Sequence, residues 1–322
     1  MTPFESITVL KEQMSQSIIG QETLINRIIL TLLADGNMLL ESVPGLAKTR
    51  AIKSLANNLD CGLSRIQFTP DLLPSDVTGT EIYLPDGKEK FVFQNGPIFS
   101  NLILADEINR APAKVQSSLL EAMEERQVTV AGKTYQMEKL FMVMATQNPI
   151  EQEGTYPLPE AQMDRFLVHT IIDYPNDDAE LAIMRLNKAE ASEEKSMAPT
   201  NTIAQQVIFD ARKEIAKIKV TENIEKYIVS LISATRYPEK FDLGFAKLIE
   251  FGSSPRGTIA LDRCSRVHAW MQNRDFVTPD DVQEVIKDVL RHRIALSYKA
   301  RAEGITTNSI IDKLIQVVAV IA

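Results

Sequence analysis

Few cysteines and histidines are present among the 322 residues. This shortage argues against a disulfide-stabilised protein and against a metal site built from Cys and His. The two cysteines, Cys61 and Cys264, lie far apart in sequence, so we expect reduced, packed thiols rather than a disulfide framework. The three histidines, His169, His268 and His292, are scattered and show no metal-ligand spacing with the cysteines. We therefore expect structural histidines and no metal cage.

Positive charge and long apolar runs are lacking too. Lys and Arg number 35 against 43 Asp and Glu, a net charge of -8, which argues against a surface built to grip nucleic acid. The longest apolar runs, such as residues 314–322, are shorter than the ~18 residues that a membrane-spanning helix needs. Residues 1–7 show no basic-then-apolar secretion signal. We expect a cytoplasmic protein without a membrane span.

Residues 1–175 alternate short apolar runs with helical patterns. The predicted strands are Met38–Ser42, Arg65–Phe68, Leu102–Asp106, Phe141–Thr146 and Val168–Ile172, and the predicted helices are Gln21–Ala34, Thr49–Leu59 and Lys114–Arg126. Because buried strands separated by helices form parallel sheets covered on both faces, this pattern predicts an α/β core.

Two segments interrupt that core with hairpin patterns. Residues 80–93 alternate about an Asp86-Gly87 turn, and residues 127–136 alternate about an Ala131-Gly132 turn. We expect these hairpins to protrude and act on a partner, although they could simply cover the edge of the sheet.

The pattern becomes helical after residue 175, which predicts a second, helical domain at residues 176–322. A loop is predicted at residues 189–202, and a capped helix start at residues 278–281. Residues 291–293, Arg-His-Arg, could bind a partner or could be cations favoured at a helix C-terminus.

The segment from Leu39 to Thr49 predicts a strand, a tight turn and a helix that begins with Lys-Thr. In a phosphate-binding loop the Lys reaches the terminal phosphates, the Ser/Thr hydroxyl helps to hold Mg²⁺ and a Gly lets the backbone approach. Lys48, Thr49 and Gly45 suit these roles, whereas Ser42 and Ala47 occupy positions where the general pattern has glycine.

Two adjacent carboxylates, Asp106 and Glu107, follow a buried strand about 60 residues later. Asp106 could hold a Mg²⁺-bound water and Glu107 could orient the attacking water, although two acids at such a place could also start a helix. A phosphate turn followed by an acidic strand end favours a site for ATP and Mg²⁺, with Thr49 and Asp106 as the metal residues.

These segments resemble the AAA+ ATPases of the MoxR family. Residues 18–21 resemble the family's adenine-contacting segment, and residues 43–49 resemble its Walker A motif, in which Ala before Lys is usual. The implied nucleotide contacts are Ile19, Gly20, Val43, Pro44, Gly45, Leu46, Ala47, Lys48 and Thr49.

Further motifs along the chain resemble the family's catalytic segments. Residues 106–112 resemble Walker B, 145–149 sensor 1, 160–166 the arginine-finger segment and 254–257 sensor 2. The implied catalytic residues are Glu107, Asn148, Arg165 and Arg256, and Arg110 is a weaker candidate for a subunit interface. The resemblance implies an AAA+ P-loop core, a parallel sheet with helices on both faces and inserted β-hairpins, followed by a helical lid.

The resemblance also implies a function. We expect an ATPase that forms a ring, most simply a hexamer. The ring would remodel partner proteins or help them to mature, including by metal insertion. The partner would be a client or an adaptor, such as a protein with a von Willebrand factor A domain. Two alternatives remain: a DNA-directed motor with Lys88, Lys90 and Lys133 facing a channel, or a nucleotide-sensing scaffold, which Ser42 suggests.

Overall fold

The computed structural model describes residues 1–43, 45–85, 90–149, 154–192, 202–241 and 246–319. Pro44, the Asp86-Gly87 turn and residues 193–201 of the expected loop lie outside the described residues. The helices are α1 (Pro3–Ser17), α2 (Glu22–Leu33), α3 (Lys48–Asn58), α4 (Pro74–Thr78), α5 (Ala113–Glu125), α6 (Glu160–Met163), α7 (Asp177–Ser192), α8 (Gln206–Ile215), α9 (Glu222–Arg236), α10 (Pro255–Met271), α11 (Pro279–Leu290), α12 (Tyr298–Ala302) and α13 (Thr307–Val317). The strands are β1 (Met38–Ser42), β2 (Leu63–Gln67), β3 (Gly79–Tyr83), β4 (Phe91–Asn95), β5 (Leu102–Asp106), β6 (Gln127–Val130), β7 (Lys133–Gln136), β8 (Met142–Gln147), β9 (Val168–Ile172), β10 (Ile249–Phe251) and β11 (Ala295–Leu296).

Within the described ranges, five strands form the central sheet in the order β2-β5-β8-β1-β9. The β2–β5, β5–β8 and β1–β8 pairs are parallel, and Ala145 of β8 lies in register with Ala105 of β5 and Leu39 of β1. All of β5 and nearly all of β8 are buried, as expected for strands covered on both faces. The predicted α/β core is therefore confirmed.

The chain packs as two compact units, and the division into domains at residues 175 and 176 stays a prediction. Unit 1 comprises residues 1–158 and 170–208, and unit 2 comprises residues 159–169 and 209–322. Helix α7 thus belongs to unit 1, and the short segment 159–169 groups with the helical unit. Within unit 2, the buried side chain of Arg293 donates hydrogen bonds to Asp164, Phe166 and Leu167.

Both predicted hairpins form, as the antiparallel pairs β3–β4 and β6–β7. The turn of the second has positive φ at Ala131 (50°) and Gly132 (79°), the backbone that a two-residue hairpin turn requires. The rings of Phe93 and Tyr135 stack with centroids 4.0 Å apart, so the two hairpins contact each other.

Unit 2 is built on helices α9, α10 and α11, whose apolar faces carry Leu231, Leu261 and Val285 among other buried side chains. The expected start of α11 is confirmed, since Thr278 and Asp281 form a reciprocal capping box. Both cysteines are free thiols, also as expected. No helix in the described part of the chain is long and apolar enough to cross a bilayer.

Candidate nucleotide-binding site

The phosphate turn leads from β1, which ends at Ser42, into α3, which begins at Lys48. Gly45 has φ +85°, a conformation that side-chain-bearing residues rarely adopt. The N-cap of α3, Ala47, makes no side-chain hydrogen bond, and the first turn contains no acid. A helix start with Lys48 and without a capping side chain suits an anionic phosphate group.

A cavity of about 930 Å³ adjoins this turn within unit 1. One side is formed by Ile18, Ile19 and Gln21, and the turn contributes Gly45, Leu46 and Ala47. The remaining lining comes from the start and body of α7 and the residues just before it, including Tyr174, Leu181 and Met184. A mostly apolar cavity beside a phosphate turn is suited to a nucleotide base.

Gly20 allows α7 to approach this cavity. Its φ is +72°, and a Cβ placed on it would lie 2.4 Å from the Cβ of Ala179 in α7. The absence of a side chain at position 20 is therefore a geometric requirement for the cavity wall, and not only a feature of the turn.

The Asp106 carboxylate at the end of β5 is held on both oxygens. Its Oδ1 accepts a hydrogen bond from Thr146 Oγ1 at 2.7 Å, and its Oδ2 accepts one from Arg65 Nη2 at 2.6 Å. The side chain is 11% exposed, so the carboxylate is largely removed from bulk water. Together with the Thr49 hydroxyl it offers hard oxygen ligands, the kind that Mg²⁺ prefers, and this donor set fits the metal.

Glu107 has the left-handed backbone conformation, with φ +57°. Its N–H donates to Thr146 Oγ1 at 3.0 Å, so one hydroxyl contacts both acidic residues. Its Oε2 accepts from Gln67 Nε2 at 2.9 Å and lies 3.0 Å from Arg110 Nε. In this arrangement two neighbouring side chains engage the carboxylate that would orient water.

The C-terminal ends of β1, β8 and β5 bring the core candidates to one edge of the sheet. Asn148 is buried directly after β8, the strand that separates β5 from β1. Since neighbouring strands are about 4.8 Å apart, the ends of β1 and β5 lie about 10 Å from each other. Lys48 and Thr49 thus share an edge with Asp106, Glu107 and Asn148, the place where open α/β sheets bind ligands.

The two remaining candidates lie in unit 2. Arg165 is half-buried just after α6, and Arg256 is an exposed residue in the first turn of α10, whose N-cap is Ser254. The last predicted nucleotide contact, Val43, lies in unit 1 and directly follows β1.

Residues 291–293 are not merely cations at a helix end. Arg293 Nε pairs with Asp164 Oδ1 at 2.8 Å, with 3% of the Arg293 side chain exposed. His292 Nε2 lies 3.1 Å from the Phe166 carbonyl, and burial together with the positive charge of Arg293 lowers the pKa of His292 well below 6.5. The imidazole is therefore neutral and donates its Nε2 proton to that carbonyl.

The sequence did not single out several of these residues. Arg65, Gln67 and Thr146 contact the acidic pair, yet each is a polar residue at or near the end of a strand. Because β2, β5 and β8 are adjacent and parallel, polar residues at their C-terminal ends must meet, and this rule could have found Gln67 and Thr146. The contribution of α7 to the cavity had no comparable signal in the sequence.

Comparisons with known proteins agree with this arrangement. The family model described as "ATPase family associated with various cellular activities (AAA)" matches residues 37–168, and the model for the AAA lid domain matches residues 245–314. The chain resembles Chaperone MoxR1 of Mycobacterium tuberculosis, with 44% identity over 95% of this chain and 80% of that protein. It is 29% identical to Protein MoxR of Methylorubrum extorquens over 89% of this chain and 86% of that protein.

A solved structure is similar throughout. The crystal structure of a candidate ATPase from Cytophaga hutchinsonii has a TM-score of 0.93 and 44% identity, covering 99% of this chain and 96% of that one. The fold and the matched models define an AAA+ ATPase, with an α/β core and a helical lid. Within this class the chain belongs to the MoxR family, as the motifs had indicated.

Proposed function

We propose that this protein hydrolyses ATP with Mg²⁺ and uses the energy for chaperone-like remodelling of partner proteins. The observation that carries the proposal is the meeting of two opposite features at one sheet edge. A helix start without a side-chain cap carries Lys48, and the paired acids Asp106 and Glu107 end β5. That combination suits phosphoryl transfer to water.

Each residue has a role that follows from its chemistry. Lys48 and the N–H groups at the start of α3 would bind the phosphates, Ile19 would border the base, and Gly20 would let α7 close beside it. Thr49 and Asp106 would hold Mg²⁺, which when bound neutralises charge on the phosphates. Glu107 would accept a proton from water, and Asn148 would orient that water or the terminal phosphate.

Hydrolysis would need a second subunit. Arg165 lies just after α6, and the resemblance gives it the role of a finger that enters a neighbour's site. Such arginines can raise the rate by ~10³–10⁵. We propose a ring, most simply a hexamer, in which Arg165 acts on the adjacent subunit and Arg256 serves as sensor 2.

The paired hairpins are the elements proposed to act on a client or on an adaptor such as a von Willebrand factor A protein. Tyr83 and Phe91 lie side by side on the first hairpin with ring centroids 5.3 Å apart, and they are 56% and 57% exposed. An exposed aromatic pair supplies apolar contact area for partly unfolded segments. Maturation by metal insertion and a cytoplasmic location remain predictions.

The test of hydrolysis is steady-state Mg²⁺-ATP turnover measured against protein concentration. We expect specific activity to rise with concentration and to be lost in Glu107→Gln and Arg165→Ala. Glu303→Gln and Arg301→Ala, which change exposed residues of α12 and its end, are the matched controls and should keep full activity. Turnover that does not depend on concentration and survives Arg165→Ala would refute the shared site.

The test of remodelling uses heat-denatured citrate synthase as the probe. We expect ATP-dependent suppression of its aggregation by the wild type, and loss of this effect in Tyr83→Ser/Phe91→Ser with basal ATP turnover kept. Full suppression by that double variant would show that the hairpin pair is not the client-binding element.

A further inference from the structure

Arg293 directs most of its guanidinium donors to residues that flank Arg165. Nε donates to Asp164 Oδ1 at 2.8 Å, and Nη2 donates to the carbonyls of Phe166 at 2.6 Å and Asp164 at 3.2 Å. Nη1 donates to the carbonyl of Leu167 at 3.1 Å and to that of Val289 in α11. These five acceptors match the five N–H donors of an arginine, and four of them belong to residues 164–167.

We call the hydrogen bonds from residues 291–293 to residues 164–169 the clamp, and the two neighbours of Arg293 also take part in it. His292 donates to the Phe166 carbonyl, and Arg291 donates to the His169 carbonyl and pairs with Asp288 of α11. The backbone on both sides of Arg165 is therefore fixed to the end of α11 by side chains that are buried within unit 2.

Asp164 extends the clamp to a second element. Its Oδ2 accepts from Ser254 Oγ at 2.7 Å, while the same hydroxyl accepts from the N–H of Arg256 at 3.2 Å as the N-cap of α10. One carboxylate thus connects the residue before Arg165 with the start of the helix that carries Arg256.

We propose that Arg293 and Asp164 are positioning residues for Arg165, acting through the segment 164–167 on the active site of the neighbouring subunit. This inference rests on the proposed function, since it requires Arg165 to act in trans. A flexible segment would let the Arg165 side chain sample many positions, and a displacement of about 1 Å at a reacting centre can cost about 10²-fold in rate. The four hydrogen bonds from Arg293 to this segment restrict that freedom.

The decisive experiment separates an effect in trans from one in cis. Rings are co-assembled from equal amounts of Arg293→Lys and Glu107→Gln subunits, since Lys keeps the charge but has only three donors and no planar fork. A Glu107→Gln subunit has an inactive site but an intact finger segment, so it can complete the site of an Arg293→Lys neighbour. The reference mixture contains Arg165→Ala with Glu107→Gln.

Each variant alone is expected to lose at least tenfold in turnover while keeping ATP binding and assembly, measured by nucleotide titration and sedimentation. Random mixing gives about one quarter of the interfaces an intact site facing an intact finger, so both mixtures should recover about one quarter of wild-type activity. Asp164→Asn, which keeps the shape of the carboxyl group, is the second variant and should recover in the same way if Arg293→Lys fails to fold.

Arg274→Lys is the matched control. Arg274 also pairs with a buried carboxylate in unit 2, but that carboxylate belongs to Asp281 and not to residues 164–167. It should keep near wild-type turnover. If the Arg165→Ala mixture recovers activity and both the Arg293→Lys and Asp164→Asn mixtures do not, the positioning role is overturned and the shared site stands. If Arg165→Ala alone stays fully active, the shared site itself is wrong.

Discussion

Thr146 is the residue whose removal should reveal how the acidic pair is held. Its hydroxyl is fully buried, donates to Asp106 Oδ1 at 2.7 Å and accepts from the Glu107 N–H at 3.0 Å. The substitution Thr146→Val keeps the shape of the side chain and removes both hydrogen bonds. Asp106 loses a charge-assisted bond, and Glu107, with its left-handed backbone, loses the partner of its N–H.

The magnitude follows from these two losses. A hydrogen bond to a charged group contributes about 1.5–3 kcal/mol, and a buried N–H left without a partner costs about 1–3 kcal/mol. The methyl group that Val adds offsets part of the loss. A second buried threonine of unit 1, Thr170 in β9, measures that offset, because its hydroxyl has no hydrogen-bond partner among the described residues.

The assay is urea unfolding of both variants without nucleotide, followed by ATP turnover. We expect Thr146→Val to lower the free energy of unfolding by about 2–4 kcal/mol relative to Thr170→Val, which should be neutral or stabilising. Turnover should fall by about 10–10²-fold in Thr146→Val alone, because Asp106 and Glu107 both lose the hydrogen bond that positions them. Equal stabilities of the two variants would refute the reasoning.

Two further predictions test the cavity wall and the buried histidine. Gly20→Ala should raise the Kd for ATP, measured by nucleotide titration, at least tenfold. An alanine in the left-handed conformation costs about 1–2 kcal/mol, and its Cβ would displace Ala179. The control is Gly304→Ala, which has a similar φ but open space around it and should leave the Kd unchanged. An equal effect of both would argue against the contact with α7. Because the folded-state pKa of His292 is lowered below its unfolded value, its contribution to stability is present above pH 6.5 and is lost as the pH falls. The free energy of unfolding should therefore drop by up to about 1.4 kcal/mol per pH unit as the pH falls below 6.5. The variant His292→Gln keeps a donor for the Phe166 carbonyl and should reduce this dependence on pH. An unchanged dependence would exclude His292 as its source.

The sequence predicted the parts of the fold that depend on local pattern. The strands β1, β5, β8 and β9 lie within a residue of their expected bounds, because short apolar runs between helices leave few alternatives. The hairpins were predicted for the same reason, since alternation about a Gly-containing turn is a short-range signal.

Features that depend on distant contacts were not predictable in this way. Helix α1 is an exception, because it was missed although the capping box of Thr2 and Glu5 that starts it is a local signal. The change in pattern predicts a boundary near residue 175, but it carries no signal for the hydrogen bond that joins Phe166 to Arg293, more than 120 positions away. Residues 291–293 do lie at the end of α11, as one interpretation expected, but no window of sequence contains both Arg293 and its partners at residues 164–167.

The interleaved course of the chain limits how the protein can be divided. The polypeptide passes between the two units after residues 158, 169 and 208, so neither unit is a single continuous stretch. A fragment that ends at residue 208 would retain the segment around Arg165 but lack the Arg293 guanidinium that binds it, leaving the carbonyls of Phe166 and Leu167 without that donor. Expression of the isolated nucleotide core should therefore give a less stable protein than its sheet suggests.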